Sequence, residues 1–324
     1  MEIKTLKSVC GIMTPWAFLR KFVAFTIPLG IMLSVWCLFL FYQDFKSYVN
    51  GIRLSEDVDW VVVGDSQSRN SLNPQEIPHL VNFSSDGMSL DQLLYKVRDI
   101  IAYNRDRDFS IILNISPVRL RQPIHPMPMD CFEGRYVFLN MLHFFDSVRP
   151  LSAPLLLVRD RFLFPRSHAY FRRNTKKRKG VFLNNCIGDY YSHSQSLFLD
   201  SPCVVNNSSR KFAQRFSNYK EDGTSERLYK KIIGEIASNG RGVILYVAPW
   251  HSNLIDQVKK EIAEFREKFN QLKSGLMYFD CLEFHFEDEN SFFYNENHLN
   301  SKGAKVISRA FKEVLENQKN KKGL

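Results

Sequence analysis

The chain has 324 residues and a formal net charge of +10, too long for one minimal domain and suited to one large domain with an insertion, or to two small ones. One large domain is the default expectation. No CxxC pair of the metal-binding kind occurs, and Cys131, Cys186, Cys203 and Cys281 have no diagnostic spacing, with Cys186 and Cys203 the one disulfide pairing worth naming.

From residue 22 to 43 the chain reads "FVAFTIPLGIMLSVWCLFLFYQ", 22 residues without a charge, close to the roughly 20 that a helix needs to cross a bilayer. This predicts a transmembrane helix. Trp36 and Tyr42 suit an interfacial belt, and no small-residue cleavage site marks the stretch as a removable signal. Lys4, Lys7, Arg20 and Lys21 precede the span, whereas Lys46 and Arg53 follow it among Asp44, Glu56, Asp57 and Asp59. The positive-inside tendency therefore leaves residues 1–21 in the cytoplasm and puts 45–324 outside the cell membrane. Such a compartment permits disulfides and argues against nucleic acid as a partner.

Beyond the span, "VDWVVVG" (58–64) is a continuous apolar run of the kind found in a parallel sheet covered on both faces. "HLVNFS" (79–84) is a shorter strand. "SLDQLLYKVRDIIAYN" (89–104) sets Leu90, Leu93, Leu94, Val97, Ile100 and Ile101 at helical spacing, with Ser89 as the cap. "FSIILNIS" (109–116) returns to strand. Residues 117 to about 215 show no sustained period and read as a long insertion. Within it, 136–164 is rich in apolar and aromatic residues, as short helices over a site or a surface against the membrane would be. Residues 161–180 hold eight Arg or Lys and no acid. A solvated loop, a contact with anionic headgroups and a contact with an acidic polymer all fit that run.

Regular alternation resumes with a helix near 224–239, a strand 242–248, a helix 252–272, a strand 275–280, and a last helix 301–317 followed by a frayed tail. Five strands alternating with helices predict a doubly wound, flavodoxin-like parallel five-stranded α/β sheet within 45–324.

Ligands of such sheets bind beyond the carboxyl ends of the strands, where strand order reverses. The first strand ends in Gly64-Asp65-Ser66, the turn after the second carries Gly87, and the third ends near Asn114. Ser66, following a strand, suits either a helix N-cap or a nucleophile; a serine opening a helix lies beside free backbone N–H groups that can hold an oxyanion, to which Gly87 N–H and the Asn114 side chain can add. A nucleophilic serine also needs a base, and His298 stands just before the final helix, whose cap is Asn300 or Ser301. Asp65 suits a structural bond near the turn. His251 and Trp250 in "YVAPWHSN" end the fourth strand on the same rim. His251 suits a substrate contact, a second base or a helix cap, and Trp250 a sugar platform or a packed aromatic. His79, His125, His143, His168, His193 and His285 have no ligand spacing, so no metal is expected.

"GDSQS", the glycine of "SSDGMSL", the asparagine ending the third strand and "HLNSKGAKVIS" together resemble the SGNH (GDSL-type) hydrolase family, in particular its membrane-anchored cell-envelope branch linked to acyl-group chemistry on surface polymers. The resemblance covers roughly 58–116 and 242–317. It implies Ser66 as nucleophile, the Ser66 N–H, Gly87 and Asn114 as oxyanion donors, and His298 as base. The family usually has an aspartate three residues before the histidine, where this chain has Asn295. In a serine protease triad the same change loses about four decades of rate through the wrong ring tautomer. Glu296, next to it, is an alternative orienter, and some active family members are thought to rely on a Ser–His dyad with a backbone carbonyl.

The expectation is therefore a membrane-anchored esterase or O-acyltransferase, without cofactor, working on acyl esters of a cell-surface glycan, with a membrane acyl-donor protein as a further partner. The rival is a catalytically weak or inactive protein of this fold that binds glycan or partner proteins in an envelope-assembly complex, which Asn295 favours. A third reading takes the GDS match as accidental in another flavodoxin-like receptor.

Overall fold

The computed structural model describes residues 15–86, 88–121, 202–219 and 223–322, excepting the side chains at 33, 34, 37–48, 91, 202–208 and 319–322. The chain divides into two compact units, Met1–Asn50 and Gly51–Leu324. A long helix α1 (Pro15–Ile52) runs through the stretch expected to span a membrane. Among the described residues no helix is long and apolar enough to cross one. Much of the expected span, at 33, 34 and 37–43, has side chains outside the described residues.

The second unit is an α/β fold. Strands β1 (Trp60–Val63), β2 (Leu80–Asn82), β3 (Ser110–Asn114), β4 (Gly242–Val247) and β5 (Met277–Asp280) form one sheet. It has the order β2-β1-β3-β4-β5, and every pairing is parallel. The order reverses between β1 and β3, the place where such sheets open a crevice at their carboxyl edge.

Period-two alternation sorts the strand residues onto two faces. Val61, Val63, Ile111, Leu113, Leu245 and Val247 point to one core. That core is covered by Leu93, Leu94 and Val97 of α3 (Leu90–Tyr103), by Ile232 and Ile236 of α6 (Thr224–Ser238), and by Phe265 and Phe269 of α8 (Lys259–Leu272). Trp60, Val62, Ile112, Ile244 and Tyr246 point the other way, beneath Ile307, Phe311 and Leu315 of α10 (Ser301–Lys322). Each fully buried aliphatic or aromatic side chain contributes about 1.5–3 kcal/mol relative to exposure. The two cores thus fix the strand register that sets the rim.

Helix starts follow their caps. Ser89 caps α3, and the Gln92 side chain accepts from its N–H at 2.9 Å. Asn300 caps α10, its Oδ1 accepting from Lys302 N–H at 2.9 Å and Gly303 N–H at 3.1 Å. That helix continues to Lys322, past the expected end at 317.

Two further expectations change. The helix expected at 252–272 is two, α7 (Ser252–Gln257) and α8, separated at Val258 with φ −127° and ψ 32°. Leu254, Val258, Ile262, Phe265 and Phe269 are all buried, so the break keeps the apolar stripe in step and leaves no mark in the periodicity. The region 117–215, expected to be irregular, begins with α4 (Pro117–Arg121) and ends with α5 (Pro202–Ser217). Each opens on proline, whose fixed φ and missing N–H suit a first helical turn. The segments 136–164 and 161–180 and the pair Cys186 and Cys203 lie outside the described residues or side chains.

Candidate active site

Strand β1 runs into Gly64 and then into a six-residue helix, α2 (Ser66–Ser71). A Cβ at Gly64 would overlap Asn114 Cβ and Ser68 Oγ. Only glycine lets the ends of β1 and β3 close to this separation. Asp65 caps α2, its Oδ1 accepting from Gln67 N–H at 2.9 Å. The same oxygen accepts from Asn114 Nδ2 at 2.9 Å, and Arg119 Nε of α4 lies 3.6 Å from Asp65 Oδ2. Asp65 is therefore the cap, and the Ser66 hydroxyl is released from that duty.

Helix α2 contains no apolar residue, yet Gln67, Ser68, Arg69, Asn70 and Ser71 are all buried. Hydrogen bonds hold it where apolar packing would hold another helix. Ser68 Oγ donates to Ser84 Oγ at 2.8 Å, and Tyr246 OH donates to Ser71 Oγ at 2.7 Å. Asn82 Nδ2 donates to Ser68 O and Leu72 O at 3.0 and 2.9 Å, and Arg69 Nη1 to Asp86 Oδ2 at 2.7 Å. The nucleophile candidate thus stands on a rigid polar base.

Ser66 Oγ lies 2.7 Å from Nε2 of His298. His298 belongs to a two-stranded hairpin of β6 (Phe293–Asn295) and β7 (His298–Leu299), immediately before α10. Its Nδ1 lies 2.9 Å from Asn295 Oδ1. Both residues of the Ser66–His298 pair are half-buried, which leaves them open to a substrate.

The orientation of the Asn295 amide fixes the ring. Asn297 N–H donates to Asn295 Oδ1 at 3.2 Å, and a backbone N–H can meet only the oxygen end of an amide. The oxygen therefore also faces His298 Nδ1, which must carry the proton, leaving Nε2 as the acceptor toward Ser66. In a triad where asparagine replaces aspartate, the penalty arises when the amide presents its NH2 group and selects the wrong tautomer. Here the turn at Asn297 removes that penalty, and only the missing charge separates Asn295 from an aspartate. Glu296, the other orienter considered, is buried and accepts from His251 N–H through its backbone carbonyl.

Asn114 is 2 % exposed, and its Oδ1 has no partner among the described residues. Below it, Tyr229 OH of α6 donates to Asn114 O at 3.3 Å and accepts from Ser116 N–H at 3.4 Å. Burial pushes the Tyr229 phenol far above its ordinary range, so it acts as a neutral brace for the end of β3. Gly87 lies outside the described residues. Among the described residues that precede it, Ser85 N–H donates to Gly64 O at 3.1 Å, and Phe83 O accepts from Lys96 Nζ.

Two rim residues fill other places. Trp250 is 2 % exposed and meets the rings of Phe212 and Phe216 edge-on, at centroid distances of 5.8 and 5.5 Å. It is a core aromatic and offers no face to a sugar. His251 caps α7, its Nδ1 accepting from Asn253 N–H at 3.2 Å, while Nε2 lies 2.8 Å from Asn290 Oδ1. Both ring nitrogens are engaged, so His251 is neither a second base nor a substrate contact. Among the described residues no group of three His, Cys, Asp or Glu is placed to hold a metal. No family model matches this sequence, and no curated protein matches it.

Proposed function

We propose that the chain is a membrane-anchored serine esterase or O-acyltransferase of SGNH type, acting on acyl esters of a cell-surface glycan. The observation that carries this reading is the chain of contacts Ser66 Oγ, His298 Nε2, His298 Nδ1 and Asn295 Oδ1, each within hydrogen-bond distance. Ser66 Oγ attacks the acyl carbon and passes its proton to His298 Nε2. The tetrahedral oxyanion is received by the Ser66 and Gly87 N–H groups and by the Nδ2–H of Asn114 that Asp65 leaves free. Collapse expels the sugar oxygen, which takes the proton from His298 and leaves an acyl-Ser66 ester. Water or a second sugar hydroxyl then gives its proton to His298 and attacks that ester, so hydrolysis and transfer differ only in the acceptor.

Anchoring and placement on the outer side of the cell membrane complete the proposal. Residues 22–43, taken as helix, extend about 33 Å, against a hydrocarbon layer of about 30 Å. Phe18, Phe22, Phe25, Ile31 and Met32 of α1 are exposed apolar residues that a bilayer would cover. A membrane protein that delivers activated acyl groups is the partner such a transferase needs.

The test is intact-mass analysis of the full chain in detergent after treatment with a small fluorophosphonate. A single adduct, lost in Ser66→Ala and His298→Ala, is expected. No adduct on folded protein would refute the catalytic reading in favour of a glycan- or partner-binding protein, the reading that the uncharged Asn295 favours.

A further inference from the structure

We infer that His251 is a positioning residue that sets where the base-bearing hairpin stands, acting through Asn290 and Glu296. The inference rests on the Ser66–His298 reading above. The hairpin β6–β7 carries both Asn295 and His298, yet it pairs with no strand of the main sheet. Its place relative to Ser66 must come from other contacts, and His251 supplies three. Its backbone N–H donates to Glu296 O at 2.9 Å, in the turn between Asn295 and His298. Its Nε2 meets Asn290 Oδ1 at 2.8 Å, on the short helix α9 (Glu289–Phe292) that leads into β6. Its ring stands edge-on to Phe293, the first residue of β6, at 5.4 Å between centroids.

The tautomer follows from the cap. Nδ1 accepts from Asn253 N–H, so the ring proton sits on Nε2 and donates to Asn290. A neutral imidazole is the one form that satisfies both partners. Glu289 Oε2 lies 3.7 Å from Nδ1, and its carboxylate accepts from Ser252 N–H at 2.7 Å and Ser252 Oγ at 2.5 Å. The end of β4, the start of α7 and the start of the hairpin are thereby joined at one side chain that is 3 % exposed. A misplacement of about 1 Å between reacting groups can lower a rate about a hundredfold, so the 2.7 Å contact of Ser66 with His298 is sensitive to this joint.

Two variants of the full chain separate positioning from folding. His251→Asn keeps an oxygen that caps Asn253 N–H and the backbone bond to Glu296, and deletes the arm to Asn290 together with the ring contact to Phe293. Asn290→Ala deletes the same arm from the other side. Each is expected to lower the maximal rate of fluorophosphonate labelling about tenfold or more at unchanged half-saturating concentration. The double variant is expected to be no slower than the worse single one, because the two share one contact. Equal labelling rates, or losses that multiply, would overturn the proposal.

A second readout does not depend on activity. In chain labelled at histidine, the hydrogen-bonded Nδ1 proton of His298 is followed by NMR. It is expected to shift or broaden in both variants and to stay in place in Lys302→Ala, an exposed control. An unchanged resonance in His251→Asn overturns the proposal. Failure of the unsubstituted chain to label at all refutes the catalytic reading, and the resonance still decides whether His251 positions the hairpin.

Discussion

Replacing Asn295 by aspartate isolates the one chemical property in which this site differs from a charged triad. The variant is isosteric, and both donors that meet Oδ1, the His298 ring at 2.9 Å and Asn297 N–H at 3.2 Å, suit a carboxylate oxygen. The new negative charge would lie about 4 Å from the centre of the imidazolium charge, where Coulomb's law with a near-surface dielectric of about 20 gives about 4 kcal/mol. The site is half-buried, and screening by water reduces that figure to about 1.4 kcal/mol, or about one pH unit. A carboxylate stabilises the protonated ring, so the base is lost at higher pH. The acid limb of the labelling rate should therefore move upward by about one unit. With about half of the ring charge developed in the transition state, about 0.7 kcal/mol is gained there, and the plateau above that limb should rise about threefold. The assay is the labelling rate of the full chain between pH 5 and 9. An unmoved acid limb would show that residue 295 does not face the ring, and a lower plateau would show that the carboxylate reorganises the turn at Asn297.

Gly64→Ala places a methyl group against Asn114 Cβ and Ser68 Oγ, and overpacking of this kind costs about 1–3 kcal/mol. A lower Tm together with lost labelling is expected, and an unchanged Tm would contradict the close approach of β1 and β3. Tyr246→Phe leaves Ser71 Oγ without its donor and should lower stability by about 1–2 kcal/mol in urea unfolding. Asp280, at the end of β5, has its carboxyl pKa raised by burial above the ordinary 3.8. A group that binds its proton more tightly in the folded state contributes stability below its unfolded pKa and loses it as pH rises through the folded one. Asp280→Asn keeps an acceptor for Leu282 N–H, so the variant should melt higher at neutral pH, with the difference vanishing below about pH 3.8. A lower melting temperature at neutral pH would reverse the assignment.

The sheet was legible because its strands are short apolar runs between helical stripes, and burial on two faces demands that pattern. Ser66 and Asn114 were legible because strand ends on one rim meet regardless of their distance along the chain, and His298 because a nucleophilic serine needs a base and this histidine stands just before the final helix. Helix α2 was expected only as the element that Ser66 opens; its extent and its burial were not legible, since periodicity reads apolar residues and α2 has none. The break at Val258 was hidden because the apolar stripe continues through it. The significance of Asn295 also lay out of reach: its amide orientation depends on the N–H two residues onward, and "NEN" carries that information only once the turn is known. His251 stood on the expected rim, but its partners Asn290 and Glu296 belong to a distant stretch that no spacing rule connects to it.

The polar construction of α2 also governs how this site can change under selection. An apolar core accepts many sequences of equal volume, because dispersion has no direction. A segment held by Ser68, Arg69 and Ser71, each bonded to a named atom, accepts few, since a lost partner strands a buried polar group. A library covering residues 66–71 should therefore yield far fewer folded members than one of equal size covering α3. New specificities would arise by changing the loops around the rim, with the platform beneath the serine inherited almost unaltered.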